Sequence, residues 1–313
     1  MIPLFAANPS STIPMLPLDI LRPPGFELPE GSILEPRPAD PLIDEALAAT
    51  APPPDGPAVQ PWVLRPDRGV LRLSGKDRLT FLQGLVTADL GQLAPGHPLW
   101  AALLTPQGKY LHDFLLVAQD ETILIDAEAA RLADLARRLS LYRLRAQVRI
   151  EPLPDWGVAT SWGHDVSTAI ETGIAFADPR SPRLGQHLLA PRSDIDAKED
   201  IDARGDIASW ERLRILLGVP DGSRDLVPEK SSPMDSGFDE LGAIAWDKGC
   251  YIGQEITART KYRGLVKKRL LPVIFDGPAP APGTLVTTQD GKEMGEIRSG
   301  IDGLALALLR VRQ

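Results

Sequence analysis

Roughly half of the chain's 31 prolines fall within its first 60 residues, and this uneven placing constrains the fold more than any other feature. Proline fixes φ and removes a backbone donor. The run Pro52-Pro53-Pro54 and the absence of helical or strand periodicity predict, over 1–60, a proline-rich extension that is disordered or wraps the body without secondary structure of its own. The folded body is expected to start near Pro61.

From there the chain reads as short, well-punctuated units. Apolar and polar residues alternate over 69–74, a strand, and Leu79, Phe81, Leu82 and Leu85 then share a helical spacing. The stretches 101–104 and 110–117 flank Thr105-Pro106-Gln107-Gly108, a hairpin signal. A short strand over 122–125 precedes a helix that Asp126 can cap, with Leu132, Leu135 and Leu139 on one face. Between 147 and 206 only 148–150 and 187–189 read as strands, and the charged run 193–206 reads as a solvated loop. A helix is expected over 207–217, with Ile207, Trp210, Leu213 and Leu217 inward and Gly218 as its stop. Beyond Lys268 the runs 270–275, 284–288, 295–298 and 304–309 alternate between Gly- and Pro-rich turns, which predicts a small barrel. The fold class is α+β. The expected divisions are the extension 1–60, a two-subdomain body over 61–267 and a barrel over 268–313 that ends short of its last strand.

A net charge of -8 speaks against direct nucleic-acid binding or a membrane surface. No apolar run approaches the roughly 18–20 residues needed to cross a bilayer. The first residues show neither a basic n-region nor a presequence pattern. One cysteine permits no internal disulfide and fits a reducing compartment. Together these predict a cytoplasmic protein.

That cysteine, Cys250, carries the strongest chemical signal. Gly249 and Gly253 flank it and let the backbone turn sharply. Gln254 to Arg259 reads as a helix with Glu255 and Arg259 at i,i+4 spacing. Cys250 is thus expected at or just before a helix N-terminus, with Lys248 nearby, where a thiolate is favoured as nucleophile or metal ligand. A lone cysteine can form neither a Cys-x-x-Cys pair nor a four-cysteine cluster site, so if Cys250 ligates iron the other ligands would come from a partner or from bound small molecules. His97, His112, His164 and His187 lack metal-ligand spacing. His112 and Asp113 are neighbours on a strand, point to opposite faces and do not pair. A basic run (Arg259, Lys261, Arg263, Lys267, Lys268, Arg269) around Tyr262 reads as a solvated face, or as a seat for an anion with an aromatic part.

Lys248-Gly249-Cys250-Tyr251-Ile252-Gly253-Gln254-Glu255 resembles the signature of the YgfZ family, folate-binding proteins related to the glycine-cleavage T-protein. Ser74-Gly75-Lys76-Asp77-Arg78, Phe81-Leu82-Gln83-Gly84, Thr87-Ala88-Asp89, Pro106-Gln107-Gly108, Arg214 with Gly218-Val219-Pro220, Pro228-Glu229, Arg259 and Arg263-Gly264 follow in the family's order. The resemblance covers Pro61 to the C-terminus.

It implies a three-domain ring of the glycine-cleavage T-protein type with a C-terminal β-barrel. It further implies a tetrahydrofolate-dependent factor for assembly or repair of iron–sulfur clusters in client enzymes, with effects on tRNA modification. Cys250 and Lys248 would be the catalytic pair, and Gly249, Tyr251, Gly253, Gln254 and Glu255 the rest of the motif. Asp113, Arg214, Arg259, Tyr262 and Arg263 would contact folate. Cys250 would ligate a transient cluster shared with an iron–sulfur assembly protein or client.

Two departures from the T-protein pattern stand against aminomethyl transfer. Gly108-Lys109-Tyr110-Leu111-His112-Asp113 replaces Gly-Gly-x-x-Asp-Asp, and Leu216 stands where a pterin-binding glutamate is expected. Leaving buried pterin donors unpaired would cost about 1–3 kcal/mol. An aminomethyltransferase, and a folate-binding scaffold with a structural cysteine, are the alternative readings.

Overall fold

In the computed structural model, residues 12–14, 19–49, 62–162, 172–197, 207–288 and 290–312 are described. The N-terminal segment supplies β1 (Thr12–Pro14), β2 (Asp19–Arg22), β3 (Arg37–Pro38) and α1 (Asp40–Ala49). The body follows with β4 (Val63–Leu64), β5 (Arg68–Ser74), α2 (Arg78–Gln83), β6 (Leu99–Leu104), β7 (Tyr110–Gln119), β8 (Thr122–Glu128), α3 (Leu132–Tyr142) and β9 (Arg149–Pro152). Next come β10 (Trp156–Ser161), β11 (Ile174–Ala177), β12 (Gln186–Pro191), α4 (Arg192–Asp196), α5 (Ile207–Leu216), α6 (Gly222–Asp225) and α7 (Gln254–Tyr262). The chain closes with β13 (Lys268–Ile274), β14 (Leu285–Thr287), β15 (Glu293–Ile301) and β16 (Leu304–Arg310).

These strands form three sheets, of five strands (β6-β7-β8-β5-β9), four (β11-β12-β10-β4) and seven (β1-β14-β15-β16-β13-β2-β3). In the first, alternate side chains of β5, β7 and β8 point to two different cores. Leu71, Leu73, Phe114, Leu116, Ile123 and Ile125 pack under α2 and α3 with Phe81, Leu82, Leu135 and Leu139. Val70, Tyr110, Leu115, Val117 and Leu124 face the main core, which they share with α5 and the seven-stranded sheet. The period-2 alternation of a strand is what allows one sheet to serve both.

Several expectations are revised here. Asp126 does not cap a helix. It lies inside β8, fully buried, with Arg68 Nε on its Oδ1 at 2.8 Å. Ile207, expected inward, is partly exposed at 38%, whereas Trp210, Leu213 and Leu217 are buried. The strands β10 and β11 lay hidden in the irregular middle stretch, where short runs between turns carry little periodicity. Within 193–206, a short helix buries Ile195, and 198–206 lies outside the described residues.

The largest correction concerns the proline-rich extension. Its described residues wrap the body, as one of the two readings had it, but they do so with secondary structure of their own: β2 pairs antiparallel with β13 and β1 pairs parallel with β14. Residues 1–11, 15–18 and 50–60, with the Pro52-Pro53-Pro54 run, lie outside the described residues. Two strands of the C-terminal sheet, β13 and β14, thereby gain neighbours from the other end of the chain. Pro23 and Pro24 fall in the turn after β2 and Pro38 in the outer strand β3, where the ladder tolerates them. Leu21, Phe26, Leu34 and Ile43 are buried in the main core, and α1 lies on α5. Two body glycines make room for the segment. A Cβ on Gly218 would stand 2.6 Å from Pro23 Cγ, and one on Gly237 would stand 2.7 Å from the Phe26 ring.

The junction between the body and the C-terminal sheet is ionic. Arg214 on α5 has no exposed surface and uses every guanidinium N–H. Nε and Nη2 donate to Glu211, Nη1 to Asp225 at 2.8 Å and to the Val219 carbonyl at 2.7 Å, and Nη2 also to Ser299 of β15. Ser299 N in turn donates to Asp225. The predicted folate contact at Arg214 is therefore corrected, because no donor is left for a ligand. Ile43→Ala in α1 is expected to destabilise the protein by about 2–5 kcal/mol in urea unfolding, whereas a disordered extension would give no change.

Candidate functional site

The cysteine segment is laced to the loop after α2 from behind. Thr87 is the fastener: its hydroxyl donates to the Ala243 carbonyl at 2.6 Å, and its carbonyl accepts from Ala245 N at 3.0 Å. Lys248 completes the seam, its Nζ donating to the carbonyls of Val86 at 2.7 Å and Ala88 at 2.6 Å. Its charge also lies 5.2 Å from the Tyr251 ring centre. Burial pulls the ammonium down to about 8, partly countered by Asp89. Lys248 is thus buried and bonded to two backbone carbonyls, which hold the cysteine segment in place.

Gly253 is the second fixed point. Its φ of +82° and its place before α7 require glycine, and an added Cβ would come within 2.6 Å of the Thr105 carbonyl and 3.0 Å of Gly108 Cα. Gly108, also at positive φ, faces it from the β6–β7 turn. The Pro106-Gln107-Gly108 turn and the cysteine motif, remote in sequence, therefore meet backbone to backbone. Gly249 has no such constraint, since a Cβ there would meet nothing within 4 Å.

Between these fixed points Cys250 is exposed. It lies four residues before Gln254, the first residue of α7, so it belongs to the loop and not to the helix start. It lines an open groove of about 460 Å3 together with Pro106, Tyr142, Tyr251, Ile252, Gly253, Gln254 and Glu255. Tyr142, from the end of α3, was not read as a site residue, and nothing in its local sequence marks it. Tyr251 is buried, which pushes its hydroxyl up to about 12, and that hydroxyl has no partner among the described residues. Glu255 is exposed and pairs with Arg259 at 2.8 Å.

The five expected folate contacts do not form one site. Asp113 is buried, with Tyr110 OH on Oδ1 at 2.9 Å and Trp100 Nε1 on Oδ2 at 3.0 Å. Burial raises its pKa, against the pull of Arg68. Arg214 is enclosed in its ion cluster. Arg259, Tyr262 and Arg263 are exposed at the far end of α7, where Tyr262 meets the Trp246 ring edge-on at 5.9 Å. The basic run is not a single face either, since Arg269 is buried against Glu240 and Lys261 is paired with Asp239. Leu216 lies in the main core. These residues, as placed, do not fit a pterin.

His112 and Asp113 part company as expected. His112 Nε2 lies 2.9 Å from Asp134 on α3. A further buried polar network went unread in the sequence. Asp178 is bound by Arg180 and by His187 Nε2 at 2.9 Å, and His187 Nδ1 faces Asp126 of β8 at 3.5 Å. It joins the first two sheets at their hidden faces. No sequence signal ties these residues together, because they come from separate strands and loops.

The mouse (Mus musculus) iron-sulfur cluster assembly factor IBA57, a mitochondrial protein by name, is 34% identical over 271 residues, covering 78% of this chain and 75% of that protein. The Homo sapiens protein of the same name is 35% identical, covering 77% and 75%. The chain belongs to the IBA57 family. Residues 267–313 also match the family model for the CAF17 C-terminal beta-barrel domain. In structure the chain is similar to glycine cleavage system aminomethyltransferase T from Bartonella henselae, with a TM-score of 0.64 at 15% identity over 86% of this chain and 81% of that one. The fold is thus of the expected glycine-cleavage T-protein type, and the family shown by sequence is that of the iron-sulfur cluster assembly factor IBA57.

The cytoplasmic expectation is overturned, since these IBA57 relatives are named as mitochondrial proteins. A single free cysteine asks only for a reducing compartment and does not choose between the two.

Two measurements probe the site's construction. Lys248→Met strands two buried carbonyls and is expected to cost about 1–3 kcal/mol in urea unfolding. Burial lowers the His112 pKa from 6.5 to about 4, so the folded state refuses a proton that the unfolded chain accepts. Its contribution is intact above about pH 6.5 and is lost as pH falls towards about 4, by up to about 3 kcal/mol. Unfolding curves of His112→Gln are expected to show a shallower loss of stability than the parent over this window.

Proposed function

We propose that this chain serves in iron–sulfur cluster assembly, offering the Cys250 thiolate as one ligand to a cluster carried by a partner protein. The observation that carries this reading is the exposure of Cys250 in an open groove whose backbone is fixed from behind by Lys248, Thr87 and Gly253. A thiolate is the ligand that iron–sulfur clusters require, and a rigid loop presents it without ordering cost on contact. No group of three or more metal-ligating side chains exists among the described residues, so the other ligands would come from an assembly protein or client enzyme. The assembly-factor names of the relatives support the same role.

The side chains expected to hold tetrahydrofolate do not converge, since Asp113 and Arg214 are buried in other networks and Arg259, Tyr262 and Arg263 are exposed on α7 and just beyond it. Aminomethyl transfer has less behind it still. Both Asp113 carboxylate oxygens are occupied by Tyr110 and Trp100, and Leu216 offers the pterin no carboxylate.

The test is Cys250→Ala introduced into cells that lack the endogenous protein. Cluster-dependent enzyme activities are expected to stay at the deletion level, while the purified variant unfolds within about 0.5 kcal/mol of the parent. Full rescue by the variant would overturn the proposal. Alkylation of Cys250 in the native protein, followed by mass spectrometry, separates this reading from a structural cysteine, which would resist the reagent until unfolding.

A further inference from the structure

A second concavity, of about 480 Å3, opens where the β6–β7 hairpin, the loop 227–236 and the seven-stranded sheet meet. Its cations come from separate parts of the chain: Lys109 from the hairpin, Lys230 from the loop, and Lys268 and Arg298 from β13 and β15. Its carboxylates are Asp235 and Glu296. Arg298 neutralises Glu296 at 2.7 Å, which leaves three lysines against Asp235.

Lys109 and Lys268 both act electrostatically on Asp235, yet no ammonium of the three lysines makes a hydrogen bond or ion pair within 4.0 Å among the described residues. The concavity therefore holds a surplus of two positive charges in a protein whose net charge is -8. Further donors accompany them. The neutral Ser231 hydroxyl accepts from Val227 N and keeps its own proton to give, and the buried guanidinium Nε of Arg298 has no acceptor among the described residues. Cations gathered in a concave wall sum their fields and concentrate counter-ions there.

We infer that this concavity binds a small ligand bearing at least two anionic groups, phosphates or carboxylates. Ammonium groups from three segments suit a ligand with separated charges, since each acts as a point charge without the fixed fork of arginine. The volume falls in the range of small-molecule sites. The site is distinct from the cysteine groove, although one hairpin serves both: Pro106 lines the groove and Lys109 the concavity.

Calorimetric titration of the full chain at about 150 mM salt tests this, with inorganic pyrophosphate and tri-glutamate as probes. Saturable binding of at least one probe is expected, with Kd below about 1 mM. Binding of pyrophosphate alone assigns a phosphate ligand, and binding of tri-glutamate alone assigns a polycarboxylate. The double variant Lys109→Gln, Lys268→Gln is expected to weaken binding at least about tenfold. Exposed Lys230→Gln, which leaves the core untouched, is expected to weaken it severalfold and serves if the double variant misfolds. Lys76→Gln, exposed on the first domain, and Cys250→Ala are expected to bind as the parent does, so failure here is distinguishable from failure of the cluster role. Absence of saturable binding for both probes, or affinity unchanged by the pocket substitutions, overturns the inference.

Discussion

A guanidinium with no access to water holds the two ends of this fold together. Arg214 reaches from α5 to Glu211 on its own helix, to the turn at Val219, to Asp225 of α6 and to Ser299 of β15. Burying one charge without partners would be prohibitive, so the arrangement exists only with all members in place. Both Glu211 and Asp221 stay ionised in the interior because arginines surround them, and Arg224 closes the outer side of the cluster. The placement of the C-terminal sheet against the body follows from this set of directional bonds, where apolar packing alone would allow sliding.

The site depends on a different use of a buried cation. Lys248 is spent on two backbone carbonyls, and in that role it fastens the loop that carries Cys250 to the loop after α2. A buried neighbour and an exposed cysteine two residues apart give a thiol that meets partners with its backbone already ordered. The same economy appears at Gly108 and Gly253, where the absence of two side chains lets a hairpin brace the loop from the other side.

The N-terminal segment shows how local and tertiary influences compete. Its prolines oppose helix and sheet locally, yet Leu21, Phe26 and Ile43 bury completely or nearly so, at about 1.5–3 kcal/mol for each large apolar side chain. That gain, with the hydrogen bonds to the open edges of β13 and β14, outweighs the local cost. The C-terminal sheet benefits equally, since an uncovered edge is a site for unwanted pairing.

By itself the sequence determined the α+β class, the hairpin at 105–108, the strands of the C-terminal sheet, the helix ending at Gly218 and the cysteine motif with its helix. These rest on periodicity and turn chemistry, which act over a few residues. Tertiary structure alone decided that Lys248 turns inward, that Arg214 serves the fold, and that Asp113 is closed off by Trp100 and Tyr110. It also decided that a strand of the proline-rich segment pairs with β13, Ile20 facing Val273 and Asp19 facing Ile274. Each of these outcomes depends on which distant backbone or side chain supplies the partner for a buried polar group, and spacing along the chain carries no record of that choice.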